Sequence, residues 1–441
     1  MSKNYRLHFM SLIVIVLALV SLSAVAAQDK LDDQPLLQML ANVPDNASSR
    51  TEINFNDRKA VELAYPNAKM PANWAEFQAF NADKGKTDSF KPINLWWKVW
   101  KNQQSSLMGR YMGLSDEMPN VVGFDFFNVE QELNYGMPPQ QTLQLKGQFD
   151  LAKVRLALAS QGFTKQDQSG VEVWCGPDGC DSGTKQNLKD RNPANPFGGD
   201  LGRKWPMILQ ENDLIGTPDL TIMQNHVAVK AGNTPSLADA PEYRAAVEAL
   251  TQNGVLMQAN FWDGEILASM SNLDPIIMTA PAEQRKAILS DILKDYETLP
   301  VYKLLAFGDI ANDTKAAGEV ALVYTSEEDA KKAAEIIPKR IATFKSLVSQ
   351  RPLTQILEDR GVTAPDVQVV ESNGQYVVLV SLTSTKTSDE DILAYTTAEE
   401  GGSVTINPPG LVYRYLVSSA LQRDLGWLGT IPRATLEALA K

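Results

Sequence analysis

Histidine is nearly absent from this 441-residue chain, which holds only His8 and His226. His8 falls in a segment that reads as a removable leader. A histidine-based triad or a multi-histidine zinc site would therefore have to rest on His226 alone. His226 precedes Val227-Ala228-Val229, a run that reads as an apolar strand from His226 to Lys230. No nucleophile motif lies beside it, so a packed or edge histidine is expected. The chain also lacks a Gly-x-Ser-x-Gly elbow and a glycine-rich phosphate loop. Ser182-Gly183-Thr184-Lys185 matches Ser-x-x-Lys, but Gly183 and its loop neighbours oppose the helix that this chemistry uses. No Lys-Thr-Gly partner occurs, and the match reads as chance.

Positive charge is in deficit, with 41 Lys and Arg against 53 Asp and Glu and a formal net charge of −12. An acidic surface repels phosphate backbones, which disfavours nucleic acid as a partner. It also disfavours docking on an anionic membrane face. Acidity of this kind keeps an exported protein soluble. Cysteine is scarce as well, with two residues in the chain. They flank a tight turn in Cys175-Gly176-Pro177-Asp178-Gly179-Cys180, where Pro-Asp-Gly chemistry brings the ends together. A disulfide between Cys175 and Cys180 is expected, and the short loop limits its entropic stabilisation. The four-residue spacing is wrong for a redox-active pair, and two thiols do not make a zinc site.

One long apolar run is present, and it lies at the start. Lys3 and Arg6 precede the stretch from Phe9 to Val20, and small residues fill Ser21 to Ala27. This is the pattern of a signal peptide over residues 1–27, cleaved after a small-x-small triplet. The alternative is an uncleaved anchor helix. No second long apolar stretch follows, so no stable membrane insertion is expected after cleavage. Export would place the two cysteines in an oxidising compartment.

The rest divides by pattern into three parts: an N-terminal helical and strand segment (28–115), a first lobe (116–300) and a second lobe (301–441). Thr142 to Lys146 alternates as a half-buried strand. Asp150 caps a helix carrying Leu151, Val154 and Leu158 on one face, and Gly162 ends it. Val171 and Val173 alternate again. Pro241 opens a helix whose buried stripe is Tyr243, Ala246, Val247 and Leu250. Asn253-Gly254 stops it before a strand from Val255 to Phe261. Ala282 to Tyr296 reads as an amphipathic helix packing on a sheet through Ile288, Leu289, Ile292, Leu293 and Tyr296. Val320 to Tyr324 is a strand. Ser326 starts a helix with Ala330, Ala333, Ala334, Ile337, Ile341 and Phe344 at helical spacing, which Pro338 should kink or divide. Asn373-Gly374 between Val367–Val370 and Tyr376–Leu382 marks a hairpin. Asp181 to Gly202 reads as a long irregular surface loop, and Ala398 to Ser403 as another exposed loop.

These alternations define an α+β fold: two lobes of antiparallel sheet with helices packed on one face, built from ferredoxin-like split βαβ units. The order of elements resembles a loose group of uncharacterised exported bacterial α+β proteins. The likeness lies in Phe149-Asp150, Gly162-Phe163, Val171-Glu172-Val173-Trp174 and Val323 to Ala330. It implies secretion and an α+β body and brings no activity with it.

Three further clusters carry residue types suited to chemistry. Asp178, Asp181, Asp190, Asn192, Asn195 and Asp200 offer hard oxygens that suit calcium, but the spacing is no EF-hand and solvated loop polarity explains them. Ile93, Trp96, Trp97 and Trp100 recur at helical spacing. Exposed, they would stack on sugars or grip a partner; buried, they would be a core seam, which is the expected state. Trp174 and Trp262 are possible pocket formers. No catalytic, metal or cofactor residues are expected, and the ligand-binding residues stay open. The expectation is a non-enzymatic binding or structural protein of the cell envelope, taking a small molecule or an exported protein partner. The alternatives are an extracytoplasmic hydrolase using paired carboxylates and an accessory subunit of an envelope complex.

Overall fold

A computed structural model describes residues 33–83, 87–101, 103, 108–264, 275–294, 296–394 and 409–441. The expected signal peptide (1–27) and the loop Ala398–Ser403 lie outside the described residues.

The fold is α+β. Among the described residues, twelve strands form one sheet: β1 Glu52–Asp57, β2 Val129–Tyr135, β3 Thr142–Gly147, β4 Thr164–Gln168, β5 Val171–Cys175, β6 Met207–Leu209, β7 Asp213–Gly216, β8 Val255–Asp263, β9 Leu304–Ala311, β10 Lys315–Tyr324, β11 Asp366–Ser372 and β12 Gln375–Thr385. Their order across the sheet is β11-β12-β10-β9-β8-β1-β2-β3-β7-β6-β5-β4, and every pairing is antiparallel. β8 pairs with β9 and β1 sits between β8 and β2, so the N-terminal segment supplies a central strand.

The helices that matter for the argument are α1 Lys91–Trp100, α2 Leu151–Ser160, α3 Leu220–Lys230, α4 Pro241–Thr251, α5 Ala282–Ile292, α6 Glu327–Thr343, α7 Leu411–Leu421 and α8 Arg433–Leu439. Local chemistry starts two of them as the residues demand. Asp150 accepts from the amides of Ala152 and Lys153 at the head of α2, and Ser326 accepts from Asp329 N at the head of α6. Each bond satisfies an amide that has no partner within the helix. α4 buries Tyr243, Ala246, Val247 and Leu250 completely against one face of β8–β12. α6 and α7 cover the opposite face, with Ile337, Ile341, Tyr413 and Leu416 packed on Val320, Leu322, Val378 and Val380. In this half both faces of the sheet are covered. Alternate residues of β10 and β12 consequently enter different cores, and the strands read as near-continuous apolar runs.

Two local readings need correction. His226 to Lys230 is not a strand but the end of α3, whose first turn is capped by Asp219. Pro338 does not divide α6, which continues to Thr343. Proline removes one hydrogen bond from the ladder, and burial of Ile336, Ile337 and Ile341 on both sides of it holds the helix together.

The hairpin of β11 and β12 turns at Asn373-Gly374 as expected. Both residues are left-handed, with φ of 51° and 70°. That is the geometry of the tight turn whose twist matches the flanking strands. The tryptophan helix α1 is a core element: Ile93, Trp96 and Trp100 are buried. Trp96 Nε1 donates to Arg58 O at 3.1 Å. The segment Asp181–Gly202 contains no strand, but it is not wholly a surface loop. Ala194, Asn195, Phe197 and Gly199 are buried.

Candidate functional site

Burial on this sheet is incomplete at one end. A cavity of about 530 Å³ opens between α5, α6, the C-terminal end of α7 and α8. Its size lies within the roughly 300–1,000 Å³ of small-molecule sites. Its walls come from segments far apart in sequence. Ile277 and Leu289 form one side, Tyr302 and Leu305 the sheet side, and Trp427 and Leu428 the far side. All six are buried. The rim is polar and exposed, with Gln284, Asp291, Lys345, Gln350 and Arg423 around it.

The arrangement follows from how the cavity elements pack. α5 was expected to lie on a sheet, and this is corrected by the structure. Its buried Leu289, followed by Leu293, meets Ile277 and Ile431 and Leu436, the last of these on α8. Helix against helix leaves a gap above the sheet that no large side chain fills. The tyrosines in the wall keep their hydroxyls occupied. Tyr296 donates to Ile431 O at 2.7 Å and Tyr302 donates to Leu428 O at 3.1 Å. The rings therefore present hydrocarbon to the cavity while their polar tips point at main chain.

One charged group is part of the wall. Arg340, on the last turn of α6, is 5% exposed. Its guanidinium donates from Nε to Glu297 O at 3.1 Å and from Nη1 to Gly429 O at 2.7 Å. Nη2 donates to Glu297 O as well. The guanidinium lies 4.4 Å from the centre of the Tyr296 ring. Burial depresses the Arg340 pKa, opposed in part by the neighbouring tyrosines. The nearest acids of the lining are otherwise engaged. Asp424 accepts from Ser346 Oγ at 2.5 Å and from the Leu347 amide at 3.1 Å. Asp291 pairs with Lys294 at 2.7 Å.

The residues singled out by sequence lie elsewhere. Cys175 and Cys180 form the expected disulfide, with Cα atoms 4.6 Å apart at the end of β5. His226 is buried, as a packed histidine should be. Its Nδ1 donates to Asn42 O at 2.8 Å, and Nε2 accepts from the Tyr135 hydroxyl. The neutral ring can make both contacts, and burial lowers its pKa to about 3. Ser182 ends a short 3₁₀ turn that starts at Cys180, which is not the helical setting of Ser-x-x-Lys chemistry. In the loop that follows, Asp190 accepts from Asn187 Nδ2, Asn195 caps Phe197 N, and Asp200 pairs with Arg110. Among the described residues no group of three or more His, Cys, Asp or Glu converges as metal ligands would. Trp174 and Trp262 pack into the cores.

A second feature escaped the sequence reading. Asn54 and Asn56 on β1, Glu132 and Asn134 on β2, Gln258 and Asn260 on β8, and Asp309 on β9 are cross-strand neighbours, so they share one face at the centre of the sheet. All but Asn54 are buried. Gln258 Nε2 donates to Asp309 at 3.0 Å, Met108 N donates to Glu132 at 3.2 Å, and the Tyr413 hydroxyl donates to Asn260. Burial raises the Asp309 pKa to about 7.

No family model matches the chain, and no curated protein matches it. Among solved structures, crystal form I of TP0453 aligns at 8% identity over 80% of this chain and 94% of that one, with a TM-score of 0.30. Crystal form III gives the same identity and TM-score over 96% of that chain. At that TM-score the likeness carries no statement about fold or function. What the fold and site define is an α+β protein with an apolar, small-molecule-sized cavity beside its sheet.

Proposed function

We propose that this chain is an exported, non-enzymatic binding protein of the cell envelope that holds an apolar ligand in the cavity between α5, α6 and α8. The observation that carries the reading is the cavity itself, apolar within and polar at its rim. Burial against its apolar walls rewards transfer of hydrocarbon from water by about 25 cal/mol per Å². The signal-like start of the sequence supports export, and the Cys175–Cys180 disulfide is compatible with an oxidising compartment. A hydrolase of paired carboxylates is less favoured, because the two cavity acids Asp291 and Asp424 already hold a lysine and a serine hydroxyl with a backbone amide. A protein-gripping role for the tryptophan helix is less favoured too, since Trp96 and Trp100 are buried.

The test is a titration of purified protein with the neutral, solvatochromic dye Nile red, followed by its fluorescence. Saturable binding is expected, and Leu289→Trp, which fills the cavity from α5, should abolish it. Absence of saturable binding, or binding unchanged in a folded Leu289→Trp variant, would overturn the reading.

A further inference from the structure

An apolar cavity has no need of an arginine in its wall. Moving a guanidinium into a low-dielectric site is unfavourable unless something compensates its charge. The partners of Arg340 are carbonyl oxygens of Glu297, Gly426, Trp427 and Gly429 and the uncharged hydroxyl of Tyr296. These satisfy hydrogen bonds and leave the positive charge unbalanced. Among the described residues no carboxylate forms an ion pair with Arg340. The residue is almost fully buried yet lines the cavity. The Tyr296 ring below it fixes the plane of the fork.

We infer that the ligand is an anionic amphiphile, whose carboxylate or phosphate head is bound by Arg340 and whose single aliphatic chain lies against Leu289, Leu305 and Trp427. This deepens the binding reading above and rests on it. A planar guanidinium whose charge no carboxylate balances suits an oxyanion, and a charge-assisted hydrogen bond in a buried site is about twice as strong as a neutral one. An uncharged ligand of the same length would leave the arginine charge uncompensated. The rim cations Lys345 and Arg423 are exposed and hydrated, so they discriminate less.

The experiment is displacement of Nile red from the full-length mature protein by laurate, dodecyl phosphate and dodecanol at about pH 8, where a carboxylic acid is ionised. Laurate and dodecyl phosphate should displace the dye at concentrations about tenfold or more below dodecanol, and Arg340→Gln should erase that ratio. A Lys345→Gln/Arg423→Gln double variant should retain it. Equal displacement by all three would overturn the anionic head while leaving the cavity as a binding site. Displacement by none would overturn the binding reading itself. If Arg340→Gln fails to fold, the double variant decides: a retained ratio supports Arg340, and a lost ratio assigns the anion to the rim and overturns the inference.

Discussion

Asp309 offers a stringent test of how the centre of the sheet is built. It is 2% exposed, and its carboxylate accepts from Gln258 Nε2 at 3.0 Å. Burial raises its pKa from 3.8 to about 7. The sign of the effect is fixed by linkage. Between the unfolded and folded values the native state holds a proton that the unfolded chain has released. Stability from this group therefore falls as pH rises, and the full penalty applies above about pH 7. A rise of about three units at roughly 1.36 kcal/mol each sets a ceiling near 4 kcal/mol. Local relaxation lowers that figure, so about 1–4 kcal/mol is expected. Asp309→Asn removes the charge at constant shape, and a half-turn of the Gln258 amide restores the hydrogen bond. The variant should be more stable than wild type by that amount at about pH 8.5, and the gain should shrink to about a quarter of it at about pH 4.5. Urea unfolding followed by tryptophan fluorescence at the two pH values measures both differences. Glu319 and His226, which also titrate abnormally, are common to both proteins and cancel. A difference that is the same at both pH values, or a variant less stable at high pH, would refute the account of Asp309 as a buried, weakly compensated acid.

His226 should act in the opposite direction. Its folded pKa of about 3 lies below the ordinary value of 6.5, so its contribution is complete at pH 7 and is lost as pH falls. At about pH 4.5 the loss should reach about 2–3 kcal/mol. The stability advantage of wild type over His226→Gln should shrink by that amount between the two pH values, and a constant advantage would rule the assignment out. In the β11–β12 turn, a Cβ on Gly374 would meet nothing within 4 Å, yet φ is +70°. Gly374→Ala should therefore cost about 1–2 kcal/mol through backbone conformation alone, readable as a lower urea midpoint; an unchanged midpoint would remove the strain argument.

What the residues announced beforehand was local. The Asp150 and Ser326 caps, the Asn373-Gly374 hairpin, the α4 stripe and the tryptophan seam each depend on contacts within a few positions, and each is present. His226 misled because Val227 and Val229 are β-branched and mask the helix signal. The cue was Asp219, seven residues upstream, which accepts from Thr221 N at 2.7 Å. β1 was missed for a related reason. Asn54 and Asn56 alternate with Ile53 and Phe55, and asparagine in an alternating stretch suggests a turn until a polar face elsewhere is known to receive it.

The cavity is the extreme case of this dependence on distant partners. Its wall residues come from α5, β9, α6 and the turn at Gly426–Leu428, segments that lie far apart in the sequence. One cue was present. Arg340 follows Ile336 and Ile337 at helical spacing and precedes Ile341, so a charge falls on the buried side of α6. A cation placed there must find acceptors, and Glu297, Gly426, Trp427 and Gly429 supply them with backbone oxygens. Those oxygens belong to the two segments that bracket the cavity. The arginine that ties the walls together is therefore the same group that leaves an uncompensated positive charge inside them. Structural and binding roles share one side chain, which is why the neutral and anionic ligands must be compared on the unaltered protein before any arginine variant is read.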